Sequence, residues 1–146
     1  MSFGFGVGDI LAVSQLSWKI YRACKDSGDD FRSISDEVSN LHTVLRIAEE
    51  DLAKECQTDI DAQRKDSLEE IAEGCRSVLE DLDRLLKKYE SLSTQEQRTW
   101  DRMRWGLEDM AGIRQRLTYQ VGLINAFNAA LERYVFWAPA YWPDQR

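Results

Sequence analysis

Residues 68–89 read LEEIAEGCRSVLEDLDRLLKKY. Leu68, Ile71, Cys75, Val78, Leu82, Leu85 and Tyr89 step by 3, 4, 3, 4, 3 and 4. That alternation is a heptad seam, which keeps one apolar stripe on one side of an α-helix. The intervening positions are mostly charged, so the opposite side faces water. Upstream lies a polar link, residues 56–61, with Thr58 and Asp61 at capping-box spacing. The seam therefore predicts a helix from just after residue 61 to about Glu90.

The same pattern recurs outward in both directions. Towards the N-terminus, Ile34, Val38, Leu41, Leu45, Ala48 and Leu52 step by 4, 3, 4, 3 and 4, predicting a helix over 31–55. Its other face carries Asp36, Glu37, Glu49, Glu50 and Asp51. Ser27-Gly28-Asp29-Asp30 reads as the turn before it. An earlier helix is expected from Asp9, as N-cap, to about Lys25. Ile10, Val13, Leu16, Ile20 and Cys24 make its stripe, while Leu11, Trp18 and Tyr21 add apolar surface on other sides. A helix apolar over most of its circumference is expected at the centre of a bundle.

Beyond residue 90, Ser91 to Thr94 is a second link, and Thr94 with Gln97 repeats the capping box. An apolar ladder then runs from Trp100 through Met110, Ile113, Leu117, Val121, Ile124 and Phe127 to Tyr134. One straight helix of that length would extend about 50 Å and overhang its neighbours. A break near 106–109 is expected, giving a short fourth helix and a longer fifth. The predicted fold is all-α, a four- to five-helix bundle over residues 1–135 with a central apolar N-terminal helix. Residues 136–146 form a tail whose Phe136, Trp137, Tyr141 and Trp142 are too apolar to leave in water. They are expected to fold back on the bundle, to dock on a partner, or to link onward to a downstream nucleotide-binding domain, with Arg146 the cut end of a larger polypeptide.

Composition narrows the function. The only prolines are Pro139 and Pro143, as a helical chain requires. The net charge of −7 is concentrated in the middle: residues 27–56 carry three basic and eight acidic groups, and residues 57–91 six and ten. No segment is strongly basic, which disfavours nucleic acid as a partner. Cys24, Cys56 and Cys75 are odd in number and lack zinc-ligand spacing, so they read as reduced thiols of a cytoplasmic protein, two of them on buried faces. The opening residues lack the basic region of a signal peptide and the Gly at position 2 of a myristoylation site.

No residue pattern builds an active site, so neither catalytic residues nor a cofactor are expected. His42, the only histidine, reads as a partly buried structural residue. A Cys–His pair through Cys24 or Cys75 stays open, with nothing to favour it. Glu69, Glu70, Glu73, Glu80, Asp81 and Asp83 lack the Glu-x-x-His motif of a di-metal bundle and read as a solvated face. Gly4, Gly6 and Gly8 lack the strand, spacing and Lys-Ser/Thr of a phosphate loop. However, Gly4, Gly8 and Ala12 recur every four residues, and small-x-x-x-small faces let helices approach closely in membranes or oligomers. From Met1 to Trp18 the sole charge is Asp9. This stretch falls just short of the roughly 20 residues that span a bilayer.

The opening Ser2-Phe-Gly-Phe-Gly-Val-Gly-Asp-Ile-Leu-Ala-Val, with Leu16, Trp18 and Tyr21-Arg-Ala-Cys-Lys-Asp, resembles the fungal N-terminal domain of STAND (NLR-like) proteins, the HeLo-like domains. Phe31, Ile34-Ser-Asp-Glu-Val-Ser-Asn-Leu-His-Thr-Val-Leu, Trp105, Ile113-Arg-Gln-Arg-Leu and Ile124-Asn-Ala-Phe extend the resemblance to about Leu131. Its relatives include HeLo domains, plant coiled-coil resistance domains and the MLKL pseudokinase bundle. The resemblance implies a cell-death or incompatibility effector that oligomerises and then acts on membrane lipids through its N-terminal segment. The matching positions would be Phe3, Gly4, Phe5, Gly6, Val7, Gly8, Leu11 and Ala12. Partners so implied are further copies of itself and adjacent domains of the same receptor. Asp9, Gln15, Lys19 and Arg22 depart from a plain spanning helix, so an oligomer would have to shield them.

Overall fold

The computed structural model describes residues 7–55, 62–92 and 110–130, which are helical apart from the turn at Ser27 and Gly28. There are four helices among the described residues: α1 (Val7–Asp26), α2 (Asp29–Glu55), α3 (Ala62–Leu92) and α4 (110–130). The chain is an all-α bundle, and its described part contains no strand.

Side-chain contacts fix the direction of each helix. The tight turn folds α2 back along α1, so that Ser17 of α1 meets His42 of α2. Cys24 lies beside Asp83 of α3, and Tyr89 near the end of α3 reaches Gly28 and Phe31. Hence α1 and α3 run the same way and α2 runs against both. On α4, Arg114 meets Ser33 and Asn128 meets Val44, so α4 runs parallel to α2. Arg116 meets Asp81 while Gln120 meets Cys75, so α4 is antiparallel to α3. The result is an up-down-up-down arrangement. α1 packs on α2 and α3, and α4 also bridges α2 and α3.

The two seams form the core. Every member of the α2 stripe is buried, and so is every member of the α3 stripe except Tyr89, which is half-buried. The α3 stripe is wider than the heptad reading: Ala72, Leu79 and Leu86 are buried too. A helix packed on two neighbours needs that broader apolar face. α1 and α4 contribute less, with Ile10, Val13, Ile20 and Cys24 from one and Met110, Ile113, Leu117 and Ile124 from the other.

Local contacts explain the α1–α2 turn. The Ser27 amide donates to the Cys24 carbonyl at 3.2 Å, and its hydroxyl donates to Ala23 O at 2.8 Å. These bonds occupy carbonyls that the helix end leaves free. Gly28 O accepts from the amides of Phe31 and Arg32 at 3.1 and 3.0 Å, so α2 starts directly after it. A Cβ on Gly28 would lie 2.6 Å from the Tyr89 hydroxyl. Glycine thus lets Tyr89 cross the turn, where its ring meets Phe31 edge-on at 4.8 Å. Likewise, Gly74 leaves room on α3 for the Gln120 carboxamide of α4.

Several sequence expectations change. α1 begins at Val7, so Asp9 lies in the first turn rather than at the cap, still near the positive end of the helix dipole. α2 begins at Asp29, not Phe31, because Gly28 supplies the first carbonyl. Leu16 is half-buried while Ser17 is fully buried. The helix is not buried on all sides: Leu11 and Trp18 are 38% and 46% exposed. Neighbours cover one side of α1 and leave these two outside. The described helix 110–130 falls within the longer fifth helix expected from sequence. The expected break at 106–109, the short fourth helix before it, residues Phe3 to Gly6 and the aromatic tail with Phe136, Trp137, Tyr141 and Trp142 lie outside the described residues.

Candidate functional site on the outward face of α1

α1 presents two different faces. Inward, Ser14 and Ser17 are buried among the apolar stripe. A buried hydroxyl is costly unless it is hydrogen-bonded. Ser17 Oγ donates to Ser14 O at 2.6 Å. His42 Nδ1 lies 3.0 Å from Ser17 Oγ and 3.1 Å from Ser14 O. Since the serine proton goes to the carbonyl, the consistent assignment has Nδ1–H donating to both oxygens. This arrangement ties α1 to α2. It does not activate Ser17, because the imidazole is a donor to the hydroxyl rather than its base.

The sequence did not single out Ser14 or Ser17. Their signal was present, as two serines three apart on the buried side of an otherwise apolar stripe. The Cys–His pairing left open by the sequence does not form, since His42 bonds to Ser14 and Ser17 instead. Both Cys24 and Cys75 are buried. Burial pushes the Cys24 thiol up to about 12, with the Asp83 charge adding to the shift. Burial alone pushes Cys75 up to about 12, and its Sγ lies 3.7 Å from Gln120 Oε1. Thiols so placed stay protonated and inert at neutral pH.

The carboxylates divide into two groups. Glu69, Glu70, Glu73 and Glu80 are exposed, as a solvated face requires. Asp81 and Asp83 are half-buried and ion-paired. Asp81 meets Arg84 on its own helix and Arg116 of α4 at 2.6 Å; Asp83 meets Lys87 at 2.9 Å. Among the described residues, no group of three His, Cys, Asp or Glu side chains could hold a metal ion.

The outward face of α1 is the unusual surface. Its first half presents Gly8, Leu11, Ala12, Gln15 and Trp18, all exposed and all uncharged. A Cβ on Gly8 would meet nothing within 4 Å, so this part of the helix is open to close approach. Trp18 is held in place with its ring 5.1 Å from His42 and 5.3 Å from Tyr21. The second half presents Lys19, Arg22 and Lys25, also exposed; the Lys25 ammonium sits 5.7 Å above the Tyr21 ring. Of the candidates from sequence, Gly8, Leu11 and Ala12 therefore share one exposed patch, and the α1 backbone starts at Val7. Among the described residues, no helix is long and apolar enough to cross a membrane.

Set against known proteins, the chain matches no family model, no curated protein and no solved structure.

Proposed function

We propose that this chain is the N-terminal signalling and effector domain of a fungal NLR-like receptor. In this reading it acts in programmed cell death or incompatibility, by oligomerising and directing its N-terminal helix to a membrane. α1 would be the element around which the resting bundle is organised and also the element that acts. The domain would be cytoplasmic at rest, membrane-associated when activated, and followed by a nucleotide-binding domain. It would perform no catalysis.

The resemblance in Ser2 to Asp26 motivates the family. The observation that carries the mechanism is the exposed, uncharged patch of Gly8, Leu11, Ala12, Gln15 and Trp18. An aromatic ring and a leucine on a small-residue face suit an interfacial helix better than a spanning one. The polar side chains farther along α1 favour surface attachment until several copies assemble. The test is dye leakage from liposomes. Leakage is expected from the intact domain and lost on deleting residues 2–8 or on Leu11→Glu. Leakage that persists through both changes contradicts the mechanism.

A second reading is a protein-only adaptor, which the four aromatics of the tail favour. It expects no lipid binding, and an oligomeric state that changes when residues 136–146 are removed.

A further inference from the structure

Among the described residues, the cations on α1 have no carboxylate within ion-pair distance. Arg32, Arg46, Arg84, Lys87, Arg114 and Arg116 each sit within ion-pair distance of a carboxylate. Lys19, Arg22 and Lys25 have no such partner among the described residues, although the chain carries 26 acidic groups against 19 basic. The converse holds at the start of α3. There Asp66, Glu69, Glu70 and Glu73 are exposed, share one side of the helix, and have no described cation partner.

Within one molecule, no ion pair joins these two surfaces. The Asp83 charge acts on Cys24, which places Arg22 and Lys25 along the later part of α3. Lys19 is five residues back from Cys24 and Glu73 ten back from Asp83, so on these parallel helices the two are offset by about 8 Å, and Glu69 and Glu70 are farther. Yet the two surfaces match in length. Lys19 to Lys25 covers about 9 Å of helix and Asp66 to Glu73 about 10 Å. Trp18 stands exposed at the edge of the cationic row, where an aromatic side chain can anchor a docked helix.

We propose that the outward face of α1, through Lys19, Arg22, Lys25 and Trp18, docks on the acidic row Asp66, Glu69, Glu70 and Glu73 of a second copy of this chain. The inference rests on the self-association in the functional reading above and names its surfaces. Repeated head to tail, with each copy using a different surface on either side, the contact closes a ring or grows into a filament. Opposite charges bring the copies together and set the register, while Trp18 supplies buried apolar area.

The test is a charge exchange followed by sedimentation velocity of the full chain, without lipid. One variant carries Lys19→Glu, Arg22→Glu and Lys25→Glu; the other carries Glu69→Lys, Glu70→Lys and Glu73→Lys. Circular dichroism checks that each is folded, and a Lys19→Gln, Arg22→Gln, Lys25→Gln variant replaces the first if it is not. The wild type is expected to associate reversibly, weakening by about tenfold or more when sodium chloride is raised to about 0.5 M. Each reversed variant is expected to be monomeric alone, and the two mixed are expected to associate again. Association retained by either variant overturns the proposed surfaces but leaves self-association standing. Failure of the mixture to associate also overturns them. A wild type that stays monomeric overturns the surfaces and the self-association together. If that monomer floats with vesicles containing phosphatidylserine, the cationic row serves a lipid surface instead.

Discussion

α1 and α4 occupy comparable places and are secured in different ways. Each lies against both α2 and α3, and each buries four apolar side chains. α4 is held by directional polar contacts on both sides. Arg114 reaches Ser33 at 2.9 Å and Glu37 at 3.5 Å on α2. Arg116 reaches Ser77 at 3.2 Å and Asp81 at 2.6 Å on α3. The Asn128 amide donates to Val44 O at 3.2 Å from a buried position. α1 directs its polar contacts inward, on the Ser14–Ser17–His42 group, and leaves its cations and two large apolar residues outside. A helix whose charges are already answered within the fold has little to offer a partner. α1 combines cations that have no carboxylate partner among the described residues with exposed apolar surface, the usual ingredients of an interface.

Substitutions in the two helices sharpen this contrast. Ile20 and Leu117 are both fully buried. Ile20→Ala and Leu117→Ala should each destabilise the domain by about 2–5 kcal/mol in urea unfolding. A loss below about 1 kcal/mol for Ile20→Ala would show that α1 is not packed as described.

The next effect is on pH. Cys24 on α1 and Cys75 facing α4 are both raised from 9.0 to about 12. Their folded values exceed the unfolded one, so the stability they contribute is complete below about pH 9 and lost as pH rises towards about 12. Urea midpoints should fall across that window, and fall less in Cys24→Ala or Cys75→Ala. A Cys56→Ser protein should also react slowly with a thiol reagent in its native state. Fast native labelling would contradict the burial of both sulfurs.

Smaller effects separate the helices further. Ser17→Ala should cost about 1 kcal/mol, because His42 loses one acceptor in a buried place. Arg116→Ala should cost about 0.2–1 kcal/mol and the loss should shrink with salt, as exposed ion pairs do. Leu11→Ser should leave unfolding within about 0.5 kcal/mol of wild type. A large loss at Leu11 would mean that the outward face is packed against something within the chain.

Sequence periodicity made α2 and α3 legible because each pairs one apolar stripe with one charged side. The same reasoning misjudged α1. Leu11 and Trp18 are as apolar as Ile10 and Ile20, and composition alone does not say which side has neighbours. Nor did it find the contacts of Arg114 and Arg116. Their partners lie 81 and 35 residues away, so only the folded chain brings them together. That Lys19, Arg22 and Lys25 have no carboxylate partner among the described residues was invisible for the same reason: it becomes a finding only once those carboxylates have positions. The start of α2 was misplaced by two residues because Asp29 and Asp30 look like turn residues, whereas Ser27 and Gly28 make the break.

The claim that α1 works outward can be read most directly at residue 11. Cys24 and Cys75 are buried, so Leu11→Cys in a Cys56→Ser background offers one accessible thiol for a polarity-sensitive dye. Tyr119→Cys on α4, 64% exposed in the native residue, serves as the control. With the domain clustered by an oligomeric fusion partner and mixed with vesicles, the dye at residue 11 should shift to the blue while the dye at 119 stays as in water. No shift at residue 11, or an equal shift at both sites, would contradict the account.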